Sequence, residues 1–210
     1  LGGVELAFSV RHNMRSSGLP DTVPLSLIDR SRLLSSSATS LKRTLRKSLA
    51  NAAVDLYENA QFQQHAAGRL TLESGAALHA KTILWAAGAR SHDWLANSGL
   101  ETLHGFPCVS SSLQSVSHPD VFITGDAASF PGEHIPRAGV IAVRQGPVLI
   151  ENVIARSKGK ALRDFVPQKD YLKLVTLGKR SAVAEKWGLT IEVPGLWTLK
   201  RLIDQSFVQG

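Results

Sequence analysis

The stretch Val121-Phe122-Ile123-Thr124-Gly125-Asp126-Ala127-Ala128 decides the fold that this sequence predicts. Four residues of strand character run into a glycine, a carboxylate and two small residues, as buried parallel strands do where a ligand approaches their carboxyl ends. Gly125 lets the backbone come close to a bulky group, and Asp126 offers two acceptor oxygens suited to sugar-type hydroxyls. We therefore predict an α/β fold with a ligand at this strand end, and Gly125 and Asp126 are the first candidate site residues.

A second stretch, Thr82-Ile83-Leu84-Trp85-Ala86-Ala87-Gly88-Ala89, repeats this design. It predicts a buried strand that ends in small residues and Gly88. Two such endings indicate two places where a cofactor or a neighbouring domain lies close to the main chain. Residues 137–157 then predict a helix, interrupted at Gly146-Pro147, whose free first-turn amides near Ala138 and Gly139 can bind electron-rich atoms.

The first residues predict the last turn of a glycine-rich loop and the amphipathic helix that it opens. This helix ends near residues 16–18 and has Arg11, His12 and Arg15 on its polar side. The next strand, 25–29, ends at Asp29, 26 positions after Gly3, near the distance at which dinucleotide-binding units place a carboxylate for ribose hydroxyls. Two interpretations stay open here: a nucleotide site, or a helix packed through Gly3 against a strand with Asp29 capping a turn. Because the sequence starts within this motif, we expect a fragment.

The remaining patterns predict ordinary elements around these stretches. A helix over 38–49 has Leu41, Leu45 and Leu49 on one face, and strands are expected at 54–58, in a hairpin over 69–80 and at 105–111. A short helix is expected over 91–100. Beyond a surface linker at 157–160, three strands over 171–193 predict an antiparallel meander with turns at Gly178 and Gly188. A helix over 196–208 ends the chain, and its apolar side could pack on its own domain, on a partner subunit or on a membrane surface.

The composition is that of a globular protein, with 43% hydrophobic residues in a chain of 210. The net charge of +7 comes from scattered basic residues, apart from a group at 42–47 that predicts a solvated helix face, so we expect no nucleic-acid binding. The single cysteine, Cys108, excludes an internal disulfide and is expected to be a small buried hydrophobe in a reducing compartment. No apolar run reaches the roughly 18 residues that a transmembrane helix needs.

The order of these motifs resembles that of the FAD-dependent pyridine nucleotide-disulfide oxidoreductase superfamily, and within it the type II NADH dehydrogenase-like branch. The stretches 113–122, 138–147 and 177–204 look especially like the flavoprotein domain fused to some selenide, water dikinases. The resemblance implies a partial two-dinucleotide-binding-domain flavoprotein fold. An NAD-binding domain, incomplete at its N-terminus, would cover 1–88, the C-terminal half of an FAD-binding domain 89–157, and a small α+β segment 158–210.

The resemblance also implies FAD and NAD as cofactors and a role for each candidate residue. Gly3 and Glu5 would close the NAD glycine motif, and Asp29 would receive the adenine ribose of NADH. Asp126 would hold a ribitol hydroxyl of FAD, with Gly125 beside the pyrophosphate or ribitol. The helix start at Ala138, Gly139 and Val140 would face the flavin ring, and Gly88 completes the cofactor-binding set. No catalytic side chain and no metal ligand is expected, since the cofactors carry the chemistry.

The implied function is that of a fragment of an FAD-dependent NAD(P)H oxidoreductase, inactive on its own. It would transfer hydride from NADH to flavin and electrons on to a quinone or another acceptor. Type II members tend to have Ala-Gln where this chain has Gly139-Val140, which leaves the acceptor open. Two alternatives are a ferredoxin- or disulfide-reducing member and a non-catalytic flavin or nucleotide module that regulates a fused or partner enzyme, such as a selenophosphate-forming one. We expect a cytoplasmic location, with peripheral contact to the cytoplasmic membrane face as a further option.

Overall fold

The computed structural model describes residues 1–35, 37–168 and 170–209 of the chain. Its elements in chain order are α1 (Gly2–Ser16), β1 (Ser26–Ile28), α2 (Thr39–Asn51), β2 (Asp55–Tyr57), β3 (Phe62–Ala66), β4 (Arg69–Leu72), β5 (Ala77–His79), α3 (Asp93–Ala96), β6 (Thr102–Leu103), β7 (Phe106–Pro107), α4 (Gly139–Ser157), β8 (Lys173–Thr176), β9 (Ala182–Lys186), β10 (Leu189–Ile191) and α5 (Leu196–Gln209). The chain divides into two compact units, 1–87 with the chain from Leu172 onward, and 88–171.

The first unit is built on a parallel pair of strands, β1 and β2, with Leu27 opposite Leu56. Its core takes buried side chains from α1 and α2. Leu41, Leu45 and Leu49 of α2 are fully buried, because apolar residues four apart lie on one face of a helix. The predicted helix is confirmed. Of its basic face, Arg43 and Lys47 are exposed, whereas Lys42 and Arg46 are half-buried and hydrogen-bonded to Ser35 and Glu58.

Arg11 of α1 departs from the predicted polar face, because its side chain is only 1% exposed. Its Nη2 donates hydrogen bonds to the carbonyl oxygens of Val23, at 3.1 Å, and Ala53, at 2.6 Å. Arg11 therefore ties α1 to the segments that precede β1 and follow α2. Its Nε and Nη1 atoms are buried without a hydrogen-bond partner, a costly arrangement for a cation.

A small antiparallel sheet in the order β3-β4-β5 follows β2. The pairing of β4 with β5 confirms the hairpin predicted over 69–80. β3 was not predicted, because its sequence Phe-Gln-Gln-His-Ala lacks apolar alternation and four of its five residues are exposed. Hydrogen bonds with β4 stabilise this edge strand, since its own residues have little strand propensity.

The C-terminal strands form the predicted antiparallel meander, in the order β10-β9-β8. Gly178 and Gly188 occupy the turns with φ of +77° each, a left-handed conformation that favours glycine. A Cβ atom at position 178 would lie 3.2 Å from the carbonyl oxygen of Phe8 in α1. The meander thus packs on α1 within the first unit, and the domain boundaries at 88 and 157 stay predictions.

The predictions of strands over residues 82–89 and 121–124 are wrong. Residues 81–92 have no regular secondary structure, and Leu84 and Trp85 are 57% and 65% exposed. Residues 121–124 form only an isolated bridge, between Gln114 and Phe122. A central parallel strand needs a hydrogen-bonded neighbour on each side. Within the described structure, residues 82–89 have none, and residues 121–123 have one side only, through Ser115 N to Val121 O and Ile123 N to Leu113 O.

The second unit is organised by α4, whose buried face consists of Ile141, Gln145, Val148 and Asn152. The helix continues through Pro147, so the predicted interruption at Gly146-Pro147 is wrong. Proline removes one hydrogen bond from the preceding turn, and the residues packed on either side of it hold the helix together. The predicted elements at 91–100 and 105–111 exist in shorter form, as α3 and β7.

Candidate functional site

A 3₁₀ turn at Gly125–Ala127 follows the bridge residue Phe122 in the second unit. Gly125 has a φ of +65°, and a Cβ atom at this position would lie 3.3 Å from the Cβ of Ala142 in α4. The left-handed conformation and the close approach both disfavour larger residues. The glycine predicted for contact with a ligand is therefore also required for contact with a helix.

Gln145 fixes this turn from the buried face of α4. Its Oε1 accepts a hydrogen bond from the backbone N–H of Gly125 at 2.6 Å, and its side chain is 1% exposed. Gln145 was not predicted as a site residue. Its spacing of four residues from Ile141 and seven from Asn152 places it on the buried face, a pattern from which it could have been found.

The turn and the start of α4 line a shallow hollow that is open to solvent. Its lining residues are Gly125, Asp126, Ala128, Phe130, Ile135, Pro136, Arg137, Ala138, Ile141, Ala142 and Gln145. The predicted site residues Gly125, Asp126 and Ala138 are thus brought together, and Gly139 and Val140 follow directly in the first turn of α4.

The first turn of α4 presents unpaired donors beside this hollow. Ala138 accepts hydrogen bonds from the backbone N–H groups of Ile141 and Ala142. Within the described structure, the N–H groups of Ala138, Gly139 and Val140 have no acceptor. Free first-turn amides and the partial positive charge of a helix N-terminus suit an electron-rich group.

Asp126 and Arg137 supply opposite charges on the rim. The Asp126 side chain is exposed, and its carboxylate has no hydrogen bond or ion pair among the described residues, so both oxygens can accept hydrogen bonds. Arg137 donates from Nε to the Asp126 carbonyl oxygen at 3.0 Å, and its guanidinium lies 3.8 Å from the centre of the Phe106 ring. This cation–π contact holds Arg137 across the turn. Arg137 was not predicted as a site residue.

A flavin fits these residues in its chemistry. The carboxylate of Asp126 is free for hydroxyl donors, the amides at 138–140 are free for carbonyl or ring-nitrogen acceptors, and the flanking residues are small. Gly88 is not among the residues of the hollow. It is exposed with a φ of +92°, and its role in cofactor binding stays a prediction.

Gly3 and Glu5, the predicted end of a nucleotide loop, make contacts within the first unit. A Cβ atom at Gly3 would lie 3.6 Å from Leu27 Cδ1 and from Ala86 Cβ, an ordinary packing distance. Glu5 Oε1 accepts a hydrogen bond from Thr176 N at 2.8 Å. These contacts give both residues a packing role, and a role in nucleotide binding stays a prediction for each.

Asp29 lies directly after β1, at the carboxyl end of the parallel pair. Its Oδ1 accepts hydrogen bonds from Ser31 N at 2.9 Å and Ser31 Oγ at 3.0 Å. This arrangement is the turn cap that the sequence left open as one interpretation. The second carboxylate oxygen has no partner in the described residues, so the cap and a ribose contact are compatible.

Cys108 is 3% exposed in the second unit, and burial raises the pKa of its thiol. A buried, protonated thiol is a poor nucleophile, which confirms the expectation of a small core residue. The described residues contain no group of three or more His, Cys, Asp or Glu side chains that could hold a metal ion.

Residues 3–146 match the family described as "Pyridine nucleotide-disulphide oxidoreductase". The chain belongs to this family. Two curated proteins named type II NADH:quinone oxidoreductase, from Staphylococcus haemolyticus and Staphylococcus saprophyticus, are each 28% identical to it over 135 residues. The alignments cover 62% of this chain and 33% of each relative, so the chain spans about a third of the length of these proteins.

Solved structures of similar fold include two oxidoreductases. The sulfide:quinone oxidoreductase of Aquifex aeolicus has a TM-score of 0.80 at 13% identity, over 98% of this chain and 54% of its own. An FAD-dependent pyridine nucleotide-disulphide oxidoreductase from Desulfovibrio vulgaris has a TM-score of 0.60 at 21% identity, over 85% and 46%. The predicted α/β flavoprotein fold and superfamily are therefore confirmed, and FAD with NAD(H) as the cofactors is supported at the level of the family.

Proposed function

We propose that the chain is part of an FAD-dependent NADH dehydrogenase-like oxidoreductase that passes electrons to a quinone or another acceptor. The observation that carries this proposal is the hollow between the Gly125–Ala127 turn and the first turn of α4. In this hollow, the free carboxylate can accept hydrogen bonds from a polyhydroxyl chain, and the free amides can donate hydrogen bonds to an electron-rich ring. The names of the curated relatives support NADH as the donor.

When bound, FAD supplies the hydride acceptor and NADH the hydride donor, so no side chain of this chain acts as acid or base in that step. Asp126 accepts hydrogen bonds from ribitol hydroxyls. Gly125 keeps the backbone close to the ligand, and the N–H groups of Ala138, Gly139 and Val140 stabilise negative charge on the reduced ring. These residues bind and orient the flavin, and the cofactors carry out the hydride transfer.

On the NADH side, we assign the free Asp29 oxygen to the hydroxyls of the adenine ribose. A carboxylate at the carboxyl end of a parallel strand favours NADH over NADPH because it repels a 2′-phosphate. Arg30 and Arg32 are exposed beside it and weaken this preference. Asp29 therefore sets a moderate selectivity rather than an absolute one.

A quinone acceptor and a peripheral membrane contact from the cytoplasmic side complete the proposal. The part of the chain that the structure describes contains no helix able to cross a membrane. Trp187, Leu189 and Ile191 are 73%, 70% and 53% exposed at the β9–β10 hairpin, and the Lys186 amine lies 4.2 Å from the centre of the Trp187 ring. Exposed aromatic and aliphatic side chains beside basic residues suit the interface of an anionic membrane.

The test is to purify the complete protein that contains this chain and to add NADH without oxygen. The proposal predicts a yellow protein whose flavin absorbance bleaches with NADH and recovers when a quinone is added. A colourless protein that gains no flavin on incubation with FAD would contradict it. A yellow protein that NADH does not bleach would instead favour the regulatory module acting on a fused or partner enzyme.

A further inference from the structure

Two buried side-chain amides lie on the same face of α4, Gln145 and Asn152, at 1% and 0% exposure. They are seven residues apart, which is two helical turns. Both polar atoms of the Asn152 side-chain amide form hydrogen bonds within the protein. Oδ1 accepts one from Arg163 N at 2.7 Å, and Nδ2 donates to the carbonyl oxygens of Ser112 and Arg163 at 2.8 Å each. Asn152 therefore has nothing left to offer a ligand.

In Gln145, only the oxygen of the side-chain amide forms a hydrogen bond within the described structure. Its Oε1 faces the backbone N–H of Gly125, and this contact fixes the orientation of the amide because a donor must face an oxygen and not an NH₂ group. Nε2 then lies on the other side of the side-chain amide. It has no hydrogen-bond partner among the residues that the structure describes.

The Nε2 atom of Gln145 is not completely buried. Among the described residues, the buried side-chain nitrogen and oxygen atoms that lack a partner are Arg11 Nε and Nη1. Gln145 Nε2 is not one of them, so it keeps a small accessible area within a side chain that is 1% exposed, and Gln145 lines the hollow. Buried amides nearly always find partners, and the hollow that Gln145 lines is where a partner from outside the chain can approach it.

We infer that Gln145 is a cofactor-positioning residue with two functions: Oε1 holds the Gly125–Ala127 turn, and Nε2 donates a hydrogen bond to a ligand in the hollow. The ligand must present an acceptor, such as a carbonyl, phosphate or hydroxyl oxygen or a ring nitrogen. The inference rests on the proposed function, under which this ligand is FAD. A single side chain then connects ligand binding to the geometry of the turn that carries Asp126.

The connection has a measurable consequence, because hydrogen bonds in series strengthen one another. A ligand acceptor on Nε2 polarises the amide and makes Oε1 a better acceptor for Gly125 N–H. Ligand binding should therefore slow hydrogen exchange at the Gly125 amide, even though the inferred ligand contact lies on the opposite end of the Gln145 amide.

The test compares the complete wild-type protein with Gln145→Glu, Gln145→Met and the control Arg144→Gln. At mildly alkaline pH the glutamate keeps an acceptor for Gly125 N–H and has no donor, whereas methionine has the same length and provides neither. Arg144 is exposed on the same helix and does not line the hollow. The measurements are the FAD dissociation constant, from quenching of flavin fluorescence, and hydrogen exchange at the Gly125 amide without and with FAD.

We expect Gln145→Glu to weaken FAD binding about tenfold, the value of one hydrogen bond, while Gly125 exchange in the absence of FAD stays as in the wild type. Gln145→Met should weaken FAD binding and also accelerate Gly125 exchange. If methionine prevents folding, the glutamate variant decides. Wild-type affinity in Gln145→Glu would overturn the donor role and leave the proposed function standing, whereas a wild-type protein that binds no FAD would overturn both.

Discussion

The carboxylate of Glu5 accepts a hydrogen bond from the backbone amide of Thr176, 171 positions later in the chain, with 2.8 Å between Oε1 and N. Lys200 Nζ lies 3.6 Å from the same oxygen. One side chain in the first turn of α1 thus contacts both β8 and α5. The contact closes the first unit around residues from the two ends of the sequence.

Removing this carboxylate should destabilise the protein. We expect Glu5→Ala to lower the free energy of unfolding by about 1–2 kcal/mol, because the Thr176 amide loses its charged acceptor. Urea unfolding followed by tryptophan fluorescence measures the change. Glu133→Ala is the control, since Glu133 is exposed, and its effect should stay within about 0.5 kcal/mol. Equal effects of the two variants on the free energy of unfolding would contradict a stabilising role of Glu5.

Glu5→Gln separates the packing role from the nucleotide role predicted from the sequence. Glutamine can still accept from Thr176 N–H, so we expect the NADH dissociation constant to stay within about twofold of the wild-type value. Isothermal titration with NADH measures it. A tenfold or greater loss of affinity, without a loss of stability, would show that Glu5 contacts the nucleotide.

Glu58 makes the stability of the first unit depend on pH. Arg46 donates two hydrogen bonds to its carboxylate, at 2.7 and 2.9 Å, and Leu33 N donates a third at 2.6 Å. The Arg46 contact, followed by the Leu33 amide, lowers the pKa of Glu58 below its ordinary value. This stabilisation is therefore present above the unfolded pKa of about 4.3 and is lost as pH falls through the lower folded pKa.

The variant Glu58→Gln should lose this pH dependence. We expect it to be less stable than the wild type at neutral pH and to approach wild-type stability as the solution is acidified below pH 4 or so. Urea midpoints measured across that range, with Glu133→Gln as a control, test the prediction. A constant difference between wild type and Glu58→Gln at every pH would contradict it.

Asp29→Ser tests the assignment of the adenine ribose. We expect the ratio of kcat/KM for NADH to that for NADPH to fall about tenfold, because the carboxylate that binds hydroxyls and repels phosphate is lost. Asp55→Ser is a matched control, since Asp55 lies opposite Ser26 at the other end of the same strand pair. Unchanged selectivity in Asp29→Ser would remove Asp29 from the nucleotide site.

The sequence predicted best those elements whose structure depends on contacts nearby in the chain. α2 follows from three leucines at helical spacing, and the meander follows from apolar runs separated by Gly178 and Gly188. Burial of Cys108 follows from the character of the residue itself. Each of these needs only a local pattern and one apolar face.

The elements that depend on distant partners could not be predicted in this way. Residues 82–89 and 121–124 have the composition of central strands. Within the described structure, however, 82–89 pairs with no strand, and 121–123 pairs with residues 113–115 on one side only. Gln145 was overlooked for a related reason. Helical spacing places Gln145 on the buried face of α4, but it does not predict the hydrogen bond to Gly125, twenty residues away.

Substitution of Asp126 tests most directly whether the Gly125–Ala127 turn and the start of α4 bind FAD. The measurement is the FAD dissociation constant of the complete protein for wild type, Asp126→Ala and Glu133→Ala, two exposed carboxylates of the second unit. We predict at least tenfold weaker binding for Asp126→Ala, from the loss of hydrogen bonds to a charged acceptor, and wild-type affinity for Glu133→Ala. Equal FAD affinity in all three proteins would contradict the account.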